Sequence, residues 1–348
     1  MRSRRRRIGI GRPRSVPPVE DLVREHVGPV VGKVPGVVVA VLAEDEEHVV
    51  ALGDLRSRPD PRHDCWEIAS ITKGFTGMLL AEMSLRGEVR LDDPIGTHLP
   101  DDVAARLPPP DRQPTLDDLA THRGGFPSIP PALLRRARGA NPYAQLDEAM
   151  VFDVLGRRTR RARRDRLSYS NFGMGLLGHI LGRVAGQPYG ELLRSRILEP
   201  LDLHRTGVGT CGDGTEVVPG VRKGKGTPAW TFGALAACGA LRATPADLLA
   251  FARITLDPPS GAVGDAMQLA MTPRRKGPAP DMRIGLGWMT RTSPRGDVVW
   301  HNGGTYGASS FLAVDRTRRT AVVALGTTGP RLLPRLDAPG WALLDAIA

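Results

Sequence analysis

The sequence of 348 residues is poor in lysine, aromatic residues and cysteine. Arginine supplies nearly all of the positive charge, and the lysines are Lys33, Lys73, Lys223, Lys225 and Lys276. A guanidinium stays protonated in proteins, whereas a desolvated lysine amine can lose its proton. Among the cationic residues, only these lysine positions can therefore provide a general base.

The cysteines and the apolar segments bear on location. Cys65, Cys211 and Cys238 show neither zinc-site nor redox-motif spacing, and an odd count suits reduced thiols in a cytoplasmic protein. The longest apolar segment near the start, residues 34–43, contains a proline and a glycine and is too short for a membrane anchor. We therefore predict a cytoplasmic protein without membrane contact.

The formal net charge of +11 comes mainly from two arginine runs. Residues 1–14 contain seven arginines and no acid, and residues 157–166 contain seven arginines and one aspartate. The rest of the chain is close to neutral, so we expect no nucleic-acid partner. We interpret residues 1–16 as a basic disordered tail, with contact to nucleic acid or to an anionic surface as the alternative. The second run is interpreted as a solvated loop, or alternatively as a rim that attracts anionic substrates.

One short stretch, Ile68-Ala69-Ser70-Ile71-Thr72-Lys73, precedes a pattern typical of an amphipathic helix. Apolar side chains recur after it at helical spacing, at Phe75, Met78, Leu79 and Met83. A helix beginning at Ser70 places Lys73 one turn later on the same face. A hydroxyl beside an amine is the Ser-Lys form of an activated nucleophile. The alternative is a capping serine on a surface helix.

Two further stretches contain residues suited to catalysis. Tyr169-Ser170-Asn171 precedes an apolar helix predicted over 174–185. His301-Asn302-Gly303-Gly304-Thr305 lies at the end of a strand predicted over 297–301. His122-Arg123-Gly124 also fits the H-x-G pattern, but it follows a predicted helix, so we interpret it as structural.

Strand patterns lie near both ends of the chain, and helical patterns fill the middle. Predicted strands cover residues 37–42, 48–52, 285–290, 297–301, 309–314 and 320–325. This order predicts an α+β fold, with one antiparallel sheet built from the N- and C-terminal segments and flanked by helices. We place a single catalytic domain at 17–348. Its α/β lobe comprises 17–69 and 284–348, and an inserted, mostly helical lobe comprises 70–283.

The order of the three motifs, S-x-x-K, Y-x-N and H-x-G, resembles the serine β-lactamase and penicillin-binding-protein family. The class C-like branch of esterases, peptidases and β-lactamases is the most similar, and the likeness extends from about residue 35 to 327. Further matching stretches are Leu91-Asp92-Asp93-Pro94-Ile95, Leu119-Ala120-Thr121-His122, Tyr169-Ser170-Asn171-Phe172 and Ile197-Leu198-Glu199-Pro200-Leu201.

The resemblance implies a role for each site residue. Ser70 would attack a carbonyl group, Lys73 would take its proton, and Tyr169 would act as base or proton shuttle. Asn171 would contact the substrate amide or hold Lys73. The backbone N–H groups of Ser70 and Gly304 would form the oxyanion hole.

The third motif also bears on recognition. Gly303 and Gly304 together would allow a substrate backbone to approach closely. His301 stands where many β-lactamases have lysine, so recognition of a substrate carboxylate is less assured.

The sequence thus predicts a serine hydrolase without metal or cofactor that acts on an ester, amide or lactam of small-molecule size. Two alternatives remain open: acyl transfer to a small-molecule acceptor, and a binding protein that keeps the fold without catalysis. The sequence does not determine the oligomeric state. It contains no G-x-S-x-G, H-E-x-x-H or P-loop motif that would favour another enzyme class.

Overall fold

The computed structural model describes residues 17–135, 141–156, 166–212, 214–328 and 336–347. The predicted tail at 1–16 and all of the arginine run except Arg166 lie outside these ranges. Both interpretations of the basic segments therefore stay predictions.

Most strands and helices follow the predicted order along the chain, but short strands also lie in the middle that was predicted to be helical. The strands are β1 (Gly36–Ala43), β2 (Glu46–Gly53), β3 (Trp66–Glu67), β4 (Thr206–Val208), β5 (Gly220–Arg222), β6 (Lys225–Thr227), β7 (Leu241–Ala243), β8 (Arg275–Lys276), β9 (Met282–Ile284), β10 (Met289–Ser293), β11 (Gly296–Gly304), β12 (Ser309–Asp315) and β13 (Thr320–Gly326). The helices are α1 (Val19–His26), α2 (Thr72–Leu85), α3 (Asp101–Ala104), α4 (Leu116–Ala120), α5 (Pro131–Leu134), α6 (Glu148–Gly156), α7 (Asn171–Ala185), α8 (Tyr189–Leu193), α9 (Pro245–Leu256), α10 (Ala262–Met271) and α11 (Asp337–Ile347).

Within the described ranges, eight strands form one antiparallel sheet in the order β2-β1-β13-β12-β11-β10-β9-β8. The N-terminal strand β1 pairs with the late strand β13, so that Val37 lies opposite Gly326 and Leu42 opposite Ala321. This confirms the predicted α+β fold with an antiparallel sheet drawn from both parts of the chain. The lobe boundaries stay a prediction, although β8 and β9 already belong to this sheet upstream of residue 284.

Both faces of the sheet are covered, which explains why β1 is apolar throughout. Val37, Val39 and Val41 point to a core shared with α1 and α11. The alternating residues Val38, Ala40 and Leu42 point to the opposite, larger core that includes α2, α7 and α9. A strand that is buried on both faces has a continuously apolar sequence rather than an alternation of apolar and polar residues.

One predicted strand is partly wrong. Residues 285–288, expected to lie in a strand over 285–290, instead connect β9 to β10. This connection packs closely against α2: a Cβ atom on Gly77 would lie 1.7 Å from Leu286 O, and one on Gly287 would lie 2.0 Å from Lys73 O. Gly287 has a φ of 74°, a conformation that glycine adopts without strain. The glycines permit close packing that the sequence pattern does not reveal.

The prediction of three reduced thiols is also wrong. Cys65 and Cys211 form a disulfide, whereas Cys238 is free and buried. The bonded cysteines are 146 residues apart, so no local spacing indicated their pairing. Disulfides persist mainly in oxidising environments. The cysteines therefore give no support to a cytoplasmic location.

Every helix in the described part of the chain is too short or too polar to cross a lipid bilayer.

Candidate active site

Ser70 lies in a tight turn that leads into α2. Residues 69–71 form one turn of 3₁₀-helix, and the α-helix begins at Thr72 rather than at the predicted Ser70. Ala69 has a φ of 46°, a left-handed conformation that costs a non-glycine residue about 1–3 kcal/mol and recurs at functional sites. The Leu241 N–H donates to Thr72 Oγ1 at 3.0 Å, and the Ile68 N–H donates to Leu241 O at 3.1 Å. These bonds fix the turn against β7.

The predicted nucleophile and base are in direct contact. Lys73 Nζ donates to Ser70 Oγ at 2.9 Å and to the carbonyl oxygen of Cys238 at 2.6 Å. The lysine side chain is completely buried. In its neutral form the same amine can accept the serine proton, because the two atoms are already within hydrogen-bonding distance.

Tyr169 lies beside this pair. Lys73 Nζ is 4.9 Å from the centroid of the Tyr169 ring, a cation–π distance. The tyrosine is 37% exposed, so its ring separates the buried lysine from solvent. The structure thus brings Ser70, Lys73 and Tyr169 together from segments that are distant in sequence.

Asn171 is held by a residue that the sequence did not indicate. Ser170 caps α7 by accepting from the Gly173 N–H at 2.9 Å, which makes Asn171 the first residue of the helix. Asn171 Nδ2 donates to the hydroxyl of Tyr143 at 2.7 Å. Its Oδ1 atom is buried and has no hydrogen-bond partner within the described ranges.

His301 is buried behind the catalytic centre. Its Nδ1–H donates to the carbonyl oxygen of Asn302 at 2.5 Å. Burial, reinforced by the charge of Lys73, lowers the pKa of His301 to about 3. The imidazole is therefore neutral at neutral pH and brings no positive charge to the site.

The end of β11 passes close to Ser70. β10 pairs with β11 only as far as Met289 opposite Trp300, so residues 301–304 extend beyond it. A Cβ atom on Gly303 would lie 2.7 Å from the Ser70 backbone nitrogen and 2.6 Å from Ile68 O. Glycine at 303 thus allows the strand to approach the nucleophile. The oxyanion hole formed by the Ser70 and Gly304 N–H groups stays a prediction consistent with this approach.

A cavity of about 360 Å³ opens between these elements. Its lining residues are Ser70, Tyr169, Asn171, Met289, Asn302, Gly303, Gly304, Ser309, Leu336 and Asp337. Lys73 and His301 lie beneath its wall rather than on it. In the part of the chain that the structure describes, no group of three or more His, Cys, Asp or Glu residues is arranged to hold a metal ion.

A buried carboxylate joins two parts of the site. Glu67, in the strand that leads to Ser70, accepts from the Trp230 N–H at 2.8 Å and from Thr305 Oγ1 at 3.2 Å. Burial raises the pKa of Glu67. These bonds connect the segment before the nucleophile to the residue that follows the glycines of β11. No sequence motif marked this glutamate.

Comparison with known proteins identifies a family and several relatives. The model of the Beta-lactamase family matches residues 19–346. A Beta-lactamase of Escherichia coli (strain K12) is 24% identical over 371 residues, covering 94% of each chain. The D-alanyl-D-alanine-carboxypeptidase/endopeptidase AmpH of the same organism is 24% identical over 277 residues, covering 76% of this chain and 71% of that protein. Beta-lactamase-like protein 2 of Dictyostelium discoideum is 26% identical over 161 residues, covering 43% of this chain and 27% of that protein.

The family match spans nearly the whole described chain, and the chain belongs to the Beta-lactamase family. This confirms the resemblance found in the sequence. The relatives support a serine-hydrolase type of function in general terms.

Proposed function

We propose that this protein hydrolyses an ester, amide or β-lactam of small-molecule size through an acyl-enzyme at Ser70. The observation that carries the proposal is the 2.9 Å contact between Ser70 Oγ and the buried amine of Lys73. It is supported by the cavity that begins at Ser70 and is lined by Tyr169 and Asn171.

The reaction follows from the positions of the side chains. Ser70 Oγ attacks the substrate carbonyl carbon while its proton passes to the neutral amine of Lys73. The resulting oxyanion receives hydrogen bonds from the backbone N–H groups of Ser70 and Gly304. Tyr169 relays the proton to the leaving group as the carbonyl re-forms. A water molecule then attacks the acyl-enzyme and releases the acid and free Ser70.

In this role the amine of Lys73 acts in its neutral form. It is completely buried and lies within hydrogen-bonding distance of Ser70 Oγ, so the proton transfer needs no movement of either side chain.

The neutral His301 bears on the choice of substrate. A protonated side chain at this position would attract a carboxylate beside the reacting bond, but an imidazole with a pKa of about 3 does not. This favours acyl substrates without such a carboxylate. Asn171 Oδ1, which is buried and unpaired within the described ranges, favours a substrate that carries an N–H group near its carbonyl.

Two alternatives keep the same structure. In acyl transfer, a small-molecule acceptor intercepts the acyl group in place of water. In an inactive binding protein, the cavity holds a ligand without forming a bond to Ser70.

A cytoplasmic location is a further proposal, tested by fractionation of cells that express the native protein.

The decisive experiment combines a substrate panel with covalent labelling. A serine-reactive phosphonate and a panel of p-nitrophenyl esters, nitrocefin and D-amino-acid amides are tested on the native chain. Ser70→Ala should abolish labelling and turnover, and Ser84→Ala in α2 provides the matched control. Lys73→Arg should be nearly as damaging, because a guanidinium cannot accept a proton, whereas the exposed Lys276→Arg should not.

Each outcome points to one function. Undiminished hydrolysis by Ser70→Ala would overturn the proposal. Labelling of Ser70 with turnover only when an acceptor alcohol or amine is added would favour acyl transfer. A native protein that is neither labelled nor active would favour the binding protein.

A further inference from the structure

The H-x-G sequence at His122-Arg123-Gly124 follows a helix rather than a strand, and the structure places its histidine against Tyr169. The rings of His122 and Tyr169 have centroids 4.4 Å apart. The Ser170 N–H donates to His122 Nδ1 at 3.3 Å, and the Ser168 N–H donates to His122 O at 2.8 Å. A single residue therefore contacts all three positions from 168 to 170.

His122 is suited to hold this segment in one position. It is only 2% exposed, and its φ of 58° is a left-handed conformation that most residues avoid. Burial, with the nearby Lys73 and His301, holds the pKa of His122 well below its usual value. A neutral imidazole leaves Nδ1 with the lone pair that the Ser170 N–H needs.

We propose that His122 is a positioning residue for Tyr169: its ring supports the tyrosine ring, and its Nδ1 atom fixes the adjoining backbone. The inference rests on the proposed function, in which Tyr169 delivers a proton to the leaving group. A displacement of about 1 Å at a reacting group can cost about 100-fold in rate. Loss of the support from His122 therefore acts mainly on kcat rather than on KM.

Three substitutions of His122 distinguish the contribution of its acceptor atom from the contributions of its ring and its backbone conformation. In His122→Asn, Oδ1 takes the place of Nδ1 and can accept from Ser170, and asparagine tolerates a positive φ. In His122→Gln the amide reaches instead toward the position of Nε2. In His122→Gly the left-handed conformation costs nothing, but no acceptor remains.

We expect kcat to fall by about tenfold or more in the Gln and Gly variants, with KM little changed and with substantial recovery in the Asn variant. The loss should be larger for alkyl esters, whose leaving group needs a proton, than for p-nitrophenyl esters, whose leaving group does not. Tyr169→Phe should show the same dependence on the leaving group. The double variant His122→Gln with Tyr169→Phe should be no slower than Tyr169→Phe alone.

The experiment distinguishes this inference from the proposed function. If the wild-type enzyme shows no Ser70-dependent turnover of any substrate in the panel, the proposed function fails and the inference fails with it. If the wild type is active but the losses in the double variant simply add, or the Asn variant is as slow as Gln, only the positioning role is overturned. A kcat that follows the melting temperature of each variant would likewise reduce His122 to a structural role.

Discussion

Gly303 and Ser70 lie so close together that a Cβ atom on residue 303 would be 2.7 Å from the Ser70 backbone nitrogen. Replacement of Gly303 by alanine must therefore move the strand or the nucleophile turn. Since one of the proposed oxyanion donors is that same nitrogen, we expect kcat to fall by about 100-fold or more while acyl substrates still bind. Steady-state kinetics on a p-nitrophenyl ester measure the effect.

The control for this change is Gly226→Ala. Residue 226 lies in the β5–β6 hairpin, where an added Cβ atom meets nothing within 4 Å. Activity in this variant should match the wild type. Full activity in Gly303→Ala would contradict the close approach described here.

The buried histidine His301 makes stability depend on pH. Its pKa is about 3 in the folded protein, against an ordinary value of about 6.5 in the unfolded chain. Between these values the unfolded chain binds a proton that the native protein does not. The free energy of unfolding should therefore fall as the pH falls through this window, by up to about 1.4 kcal/mol per pH unit for this residue. His122, whose pKa is also lowered, contributes in the same direction.

Urea denaturation at several pH values between 4 and 7 measures this slope. His301→Asn should make the slope shallower by as much as one proton. His301→Gln, whose side chain likewise cannot be protonated in this range, should give the same slope as His301→Asn. An identical slope in wild type and His301→Asn would contradict the prediction, because it would show that His301 binds its proton equally in the folded and unfolded states.

The hydroxyl of Tyr143 should affect both stability and substrate binding. Tyr143→Phe leaves Asn171 Nδ2 without its acceptor, which we expect to cost about 1 kcal/mol of stability. Without this hydrogen bond the side chain of Asn171 can rotate, so we also expect the KM for amide substrates to rise. Tyr189→Phe is the matched control, because its hydroxyl contacts Thr76 Oγ1 at 2.8 Å instead. It should cost similar stability without changing KM.

The disulfide can be tested by counting thiols. Alkylation of the unfolded chain without reductant should label Cys238 alone, and all three cysteines should react after reduction. Cys211→Ser should lower the free energy of unfolding by about 2–5 kcal/mol. Labelling of three cysteines without reductant would restore the expectation of free thiols.

The sequence best predicted contacts between residues that lie close together in the chain. Ser70 and Lys73 are three positions apart, so helical geometry alone brings them together. The order of the segments likewise predicted the sheet, and the order of the three motifs indicated the family.

Several side-chain contacts between distant segments escaped prediction. His122 is 48 residues from Ser170, and Glu67 is 238 residues from Thr305, so no periodicity relates them. The connection at 285–288 was mistaken for a strand because its apolar residues face α2 rather than a neighbouring strand. In each case the partner becomes evident only when the chain has folded.

The pairing of β1 with β13 has a consequence for synthesis. Thr327 Oγ1 donates to the carbonyl oxygen of Gly36, 291 residues earlier, and Ser310 Oγ donates to that of Ile68, 242 residues earlier. Ser70 and Lys73 are therefore synthesised long before β12, the strand that contains Ser310. Contacts of such long range form slowly and leave apolar surface exposed meanwhile. Until β12 and β13 have been synthesised, β1 lacks one of its two partner strands, and the turn that holds Ser70 lacks its bond from Ser310.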